Sequence, residues 1–260
     1  MIRQPLGLRL NPDLPIRDQI YQAARFGAKG VVLDAIGDLA PHRLGETGRR
    51  ELRHILRTVE LELVALSLPT RRPFDTTDEL DVRIRRADSA FGLAYDLGTR
   101  LVLVRAGGVP EQEGSDQRKV FDSALDSLAR HAEHRGVRLA LETGSEGGTG
   151  LASFLASLDH PSLGASIDAP SLLGSGVDPV SAVRELQEWV AHAYAPSGGP
   201  RPGPQAIRRS GLSAAALSWE EYLGALEEIG YRGFLTVWPD PSQDVGSQFS
   251  AVSGRLSRLH

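Results

Sequence analysis

Four apolar runs in the second half of the chain end in residues with chemistry of their own. They are Leu139-Ala140-Leu141-Glu142, Ala165-Ser166-Ile167-Asp168, Val190-Ala191-His192 and Leu235-Thr236-Val237-Trp238. Glu142, Asp168 and His192 offer two carboxylates and an imidazole, a donor set suited to Mn²⁺, Mg²⁺, Co²⁺ or Zn²⁺. Trp238 has only an indole N–H and cannot ligate a metal. An unpaired buried carboxylate is costly, which favours a working role for Glu142. Asp168 has a second reading as the cap of the turn at Ala169-Pro170. His192 has one as a hydrogen-bonded core histidine. Together the three strengthen one another, because they end consecutive β-runs.

Such residues need a scaffold that brings strand ends together. The chain alternates β-rich runs with helical patterns throughout. Runs near residues 6, 31, 62, 101, 138, 164, 190 and 235 read as eight strands. Between them, Ile16–Phe26, Glu51–Glu60, Leu80–Leu97, Arg118–His134 and Leu151–Leu158 carry helical spacing. Asp178-Pro179 opens another helix with an N-cap and a first-turn proline, running to about Glu188. Ser218-Trp219-Glu220-Glu221 fits a capping box, and a closing helix is expected from about Ser247 to Leu259. Gly27, Gly98, Gly136 and Gly230 each stand between a helix and the next strand, where a left-handed turn is needed. Eight βα units in this length predict an α/β fold, a (β/α)8 TIM barrel formed as a single domain over residues 1–260. The competing open doubly wound sheet lacks a G-x-G-x-x-G after its first strand. The Pro- and Gly-rich stretch from Pro196 to Pro204 reads as a long loop after the seventh strand rather than a domain boundary.

Period-2 alternation then fixes the neighbours of each site residue. If Glu142 faces the barrel interior, so does Ala140. Asp168 brings Ser166 and Gly164, His192 brings Tyr194, and Trp238 brings Thr236 and Phe234. Arg105 ends a further apolar run, Leu101-Val102-Leu103-Val104, and is the leading candidate for holding a ligand phosphate or carboxylate. Arg71, Arg72, Arg208 and Arg209 lie on neighbouring loops and read more simply as solvated surface.

Composition narrows the function classes. The 29 basic and 33 acidic residues leave a net charge of −4, which gives no footprint for nucleic acid or an anionic membrane. The chain has no cysteine, so disulfides, thiolate metal sites and cysteine catalysis are excluded. No run approaches a membrane span and no signal core opens the chain, so a cytoplasmic protein is expected.

The ordered segments Gly136–Thr143, Leu163–Asp168, Leu172–Pro179, Ser218–Leu223 and Glu228–Val237 resemble the xylose isomerase-like TIM-barrel superfamily of sugar isomerases and epimerases. The resemblance covers nearly the whole chain. It implies a divalent metal held by a Glu after strand five, an Asp after strand six, a His after strand seven and a Glu after strand eight. Glu142, Asp168 and His192 match the first three, and Trp238 stands at the fourth. It further implies a sugar or sugar phosphate as partner, with a homodimer as the oligomeric option; the charge and the lack of a long apolar run speak for no nucleic acid and no membrane. Glu142 would serve as base as well as ligand. The missing second glutamate removes half of a two-base proton shuttle.

Ser171, Tyr194 and Ala195 are further departures at positions where many members carry polar or charged groups. Asp240 is the candidate to complete the metal set, with Glu146 and Asp244 behind it. Trp238 reads either as a plug in the metal's place or as a stacking platform for a sugar. Ser171 and Tyr194 complete the expected substrate-binding set with Arg105 and Trp238. Two functions follow as expectations: a sugar or sugar-phosphate isomerase/epimerase with an incomplete metal site, or a barrel that has lost the reaction and binds a ligand or a protein.

Overall fold

The computed structural model describes residues 4–144, 146–196 and 217–259. Eight parallel strands close into a barrel in sequential order. They are β1 (Leu6–Arg9), β2 (Gly30–Asp34), β3 (Glu62–Leu68), β4 (Leu101–Val104), β5 (Arg138–Glu142), β6 (Leu163–Ile167), β7 (Val190–Tyr194) and β8 (Leu235–Val237). The single-domain (β/α)8 expectation holds. Arg208 and Arg209, and most of the long loop after β7, lie outside the described residues.

The helices are α1 (Ile16–Arg25), α2 (Glu46–Thr58), α3 (Leu80–Leu97), α4 (Asp116–Arg135), α5 (Gly147–Leu158), α6 (Ala169–Gly174), α7 (Pro179–Glu185), α8 (Trp219–Glu228) and α9 (Val245–Arg258). None among the described residues is long and apolar enough to cross a membrane. Local chemistry explains their ends. Ser115 accepts from the Arg118 amide to start α4, and Gly136 ends it at φ 66°. Asp178 accepts from Val180 and Ser181 with Pro179 in the first turn. Ser218 accepts from Glu221. Gly98 ends α3 at φ 95°, a conformation that costs a residue with a Cβ. Helix α6 is not apparent in the apolar periodicity, because six residues are too few to show one.

Two apolar layers hold the scaffold. Outside, helix faces pack on outward strand residues, with Phe121 against Phe154 at 5.1 Å between centroids. Inside, Val32, Ala65, Leu103, Ala140 and Tyr194 form a small buried cluster. Residues of alternating parity thus fill the barrel, and the last inward position of each strand lies at the C-terminal mouth. One register shift matters to the site. Between Ala165 and Ser166 the β6–β7 pairing slips, so that Ser166 stands opposite His192.

Candidate active site

The mouth of the barrel is organised around an arginine from the first strand. Arg9 ends β1 and is buried, with 7% of its surface exposed. Its Nη2 lies 2.9 Å from Asp34 Oδ1 and donates to Ser67 Oγ at 2.8 Å. Its Nη1 donates to the Tyr194 hydroxyl at 2.8 Å and reaches Glu142 Oε1 at 3.4 Å. The guanidinium carbon sits 3.6 Å from the centroid of Trp238, a cation–π contact. Asp34, Ser67, Glu142 and Tyr194 come from β2, β3, β5 and β7, and Trp238 directly follows β8. One side chain therefore ties six strand ends together.

A second guanidinium bridges the remaining acids. Arg105, just past β4, approaches Asp168 Oδ2 at 3.3 Å and Glu142 Oε2 at 3.5 Å. Its side chain is 35% exposed, so it faces the opening. Ser171 donates to Asp168 Oδ2 at 2.7 Å and lies within 3.5 Å of Arg105. Asp168 also caps α6, accepting from the Ser171 amide, while its own amide donates to Thr143 Oγ1 at 2.9 Å. Asp168 therefore caps a helix and sits in the charged cluster at once.

The electrostatics follow from burial and pairing. Burial works against the charge of Arg9. The phenol of Tyr194 and the carboxylates of Asp34 and Glu142 more than offset it and hold its pKa above the ordinary value. Burial pushes the Asp34 carboxyl up, against the lowering pull of Arg9. Burial also raises Glu146, whose Oε1 accepts from the Gly144 amide while Oε2 has no partner among the described residues.

His192 lies one layer deeper, fully buried. Its Nδ1 is 2.8 Å from Ser166 Oγ and its Nε2 is 2.9 Å from Thr236 Oγ1. A neutral imidazole has one donor and one acceptor nitrogen, and two hydroxyls satisfy both. Burial, reinforced by the charge of Arg9, pulls its pKa down to about 3. Its ring packs edge-on against Tyr194 at 4.6 Å.

The structure thus separates the expected ligand set. Glu142 and Asp168 share Arg105, whereas His192 is engaged below them by Ser166 and Thr236. Asp240 does not complete a metal site. Its carboxylate accepts from the Ser242 amide and hydroxyl at 2.9 and 2.7 Å, inside its own turn. Asp244 accepts from the Ser247 amide as the N-cap of α9. Tyr194, expected to touch substrate, is buried against Arg9 and Glu142. Arg105, Ser171 and Trp238 are partly exposed.

The residues do not fit a divalent cation. Guanidinium groups already stand between Asp34, Glu142 and Asp168, and no trio of His, Asp and Glu among the described residues is disposed to hold a metal. Trp238 is less a plug than a cover over a fixed organic cation. Arg9, Asp34 and Ser67, at the ends of β1, β2 and β3, are not among the expected site residues. Leu6-Gly7-Leu8-Arg9 and Gly30-Val31-Val32-Leu33-Asp34 carry the same signal.

Residues 20–250 match the family model described as xylose isomerase-like TIM barrel. Over 114 residues the chain is 35% identical to a 3-dehydroshikimate dehydratase of Pseudomonas putida, covering 42% of this chain and 18% of that protein. The chain thus spans about a fifth of that relative's length. Among solved structures, a xylose isomerase domain protein from Planctomyces limnophilus superposes with a TM-score of 0.82 at 20% identity, covering 99% of this chain and 97% of the other. A D-allulose 3-epimerase from Methylomonas sp. gives 0.74 at 16% identity, with 100% and 99% coverage. A 3-keto-D-glucoside 4-epimerase from E. coli gives 0.76 at 12%, with 98% and 100% coverage.

Proposed function

The chain belongs to the xylose isomerase-like TIM-barrel family, and within it we propose a barrel that binds a small polyhydroxylated, sugar-like ligand at its mouth without a resident divalent metal. The observation that carries this reading is Arg9: its guanidinium lies 2.9 Å from Asp34 and 3.4 Å from Glu142, where acidic side chains gather. Both oxygens of Glu142 face cationic groups, Arg9 on one side and Arg105 on the other. The Tyr194 hydroxyl also donates to Oε1 at 3.1 Å. A carboxylate so engaged is poorly placed to take a proton from a sugar carbon.

The ligand class rests on what the opening offers and on the relatives. Arg105 and Ser171 present donors suited to hydroxyl and carbonyl oxygens. The half-buried Trp238 adds an apolar surface for a ring face. The names of the similar structures, D-allulose 3-epimerase and 3-keto-D-glucoside 4-epimerase, point to the same chemistry. A metal-dependent isomerase or epimerase is the competing reading; those names favour the activity, and Glu142 and Asp168 would be its carboxylates.

Metal analysis of protein purified without chelator, combined with thermal-shift titration of ketohexoses and 3-dehydroshikimate, separates the two. The expected result is well under one equivalent of Mn, Co, Zn or Mg, with a saturable ligand shift that EDTA leaves intact. Stoichiometric metal that disappears in Glu142→Ala, or EDTA-sensitive exchange of deuterium into a ketohexose, would sink the metal-free reading.

A further inference from the structure

The opposite end of the barrel carries a second concentration of charge. The starts of β3, β4, β5 and β7 and the loop before β8 surround a cavity of about 560 Å³. Arg100, Arg138 and Arg232 line it, and among the described residues no aspartate or glutamate does. The floor of a barrel is ordinarily closed by apolar side chains. Here the inward positions include Gly164, whose missing side chain leaves room.

Arg138 enters that space. It opens β5 with the same inward parity as Ala140 and Glu142. A Cβ on Gly164 would come within 2.8 Å of its Nε, so the glycine makes room for the guanidinium. Nε donates to the Leu163 carbonyl at 3.0 Å and Nη2 to the Trp189 carbonyl at 3.3 Å. Those bonds use two of five donors and supply no negative charge. Burial lowers the pKa of Arg138, and no carboxylate offsets it.

The rim repeats the pattern. Arg100 stacks on Tyr95 at 4.0 Å, and Arg232 Nη1 donates to the Tyr231 carbonyl at 3.2 Å. Neither pairs with an acid among the described residues. The carbonyl bonds of Arg138 give it a structural role between β5, β6 and the turn before β7. They do not account for two more arginines converging on the same cavity with no acid beside them. Uncompensated guanidinium groups around a recess are the arrangement that takes oxyanions, through charge-assisted and often bidentate hydrogen bonds.

We propose that this floor cavity is a binding site for a small phosphate-type oxyanion, with Arg138 at its base and Arg100 and Arg232 at its rim. The floor and the mouth share no residue, so the site stands whatever the mouth binds. The probes are inorganic phosphate and pyrophosphate, titrated by calorimetry and thermal shift at constant ionic strength against chloride. Saturable binding with a rise in Tm is expected, with pyrophosphate tighter than phosphate. Arg100→Ala/Arg232→Ala changes two exposed side chains and should fold normally. It is expected to weaken binding by about tenfold or more, the loss of at least one charged hydrogen bond. Arg138→Lys keeps the charge without the fork and should weaken it less than Arg138→Met does. Absence of saturable binding overturns the proposal, as does binding unchanged in the rim double variant. Binding lost in Arg105→Ala but kept in the rim double variant places the anion at the mouth and also overturns it.

Discussion

Replacing Arg9 with methionine tests the central feature of the mouth. Methionine matches much of the arginine stem and removes only the charged fork. The change deletes contacts at 2.9 Å to Asp34, 2.8 Å to Ser67 and 2.8 Å to Tyr194. It leaves Asp34 and Glu142, both under a tenth exposed, without their shared cation. Breaking a buried ion pair from one side costs about 3–5 kcal/mol, because the remaining charge has no solvent to turn to. At about 2–4 °C per kcal/mol for a chain of this size, Tm should fall by about 6–20 °C.

The loss should depend on pH with a definite sign. Burial already raises the Asp34 carboxyl, and without Arg9 it rises further. A carboxyl raised in the folded state binds more protons there than in the unfolded chain. Its contribution is therefore fully present below the unfolded value and is lost as pH rises through the folded one. Arg9→Met should lose least near pH 5 and most near pH 8 in urea denaturation. Adding Glu142→Gln should recover part of the loss by removing one orphaned charge. Millimolar Mn²⁺ should stabilise Arg9→Met and leave the parent unchanged, since the freed acids then have room for a cation. A loss below about 1 kcal/mol, equal at both pH values and indifferent to Mn²⁺, would refute the view that the guanidinium holds the site together.

Other outcomes follow from the same geometry. His192, pulled down to about 3 from an ordinary 6.5, stays neutral in the fold while the unfolded chain protonates below 6.5. Its contribution is present above that value and declines as pH falls toward 3, by about 2 kcal/mol between pH 7.5 and 5. Denaturation of His192→Gln at both pH values should show that slope flattened. Trp238→Glu alone should gain no Mn²⁺ affinity by calorimetry, whereas Arg9→Met/Trp238→Glu should bind it. A Cβ on Gly30 would stand 2.5 Å from Val64 Cγ2 and 2.7 Å from Phe234 Cε1. Gly30→Ala should therefore cost about 1–3 kcal/mol of overpacking in urea titrations.

The barrel was legible because its signals are local and repeated. Leu80–Leu97 coincides with α3 residue for residue, since a long amphipathic pattern ends at a glycine built for the left-handed cap. Helix α2 starts at Glu46, five residues ahead of the expected Glu51, because Glu46 to Arg50 form a polar turn with no apolar periodicity. The site was half legible. Alternation placed Glu142, Asp168, Trp238 and Tyr194 on the inside, yet it gives depth only coarsely. His192 and Glu142 end adjacent-looking runs, but the register slip opposite Ser166 and the hydroxyl of Thr236 keep the imidazole a layer below. Arg9 could not have been assigned its partners from spacing. Asp34, Ser67, Glu142 and Tyr194 are separated from it by 25, 58, 133 and 185 residues, and only barrel closure joins them.

The tryptophan after β8 and the arginine at the end of β1 act as one unit. β1 and β8 are neighbours in the closed barrel, so the two side chains meet across a single pairing. Asp34, Glu142 and Asp168 bring three negative charges, and Arg9 and Arg105 return two positive ones. A divalent ion added at Glu142 would lie about 4 Å from a guanidinium. At an effective dielectric of about 20 that repulsion is about 8 kcal/mol, which any ligand set at the mouth would have to overcome. A glutamate placed at position 238 would first pair with Arg9, since the guanidinium already packs against that position. Metal affinity is therefore expected only once the arginine is removed. The indole in turn suits the arginine, because its face attracts the guanidinium without adding a charge that must be balanced.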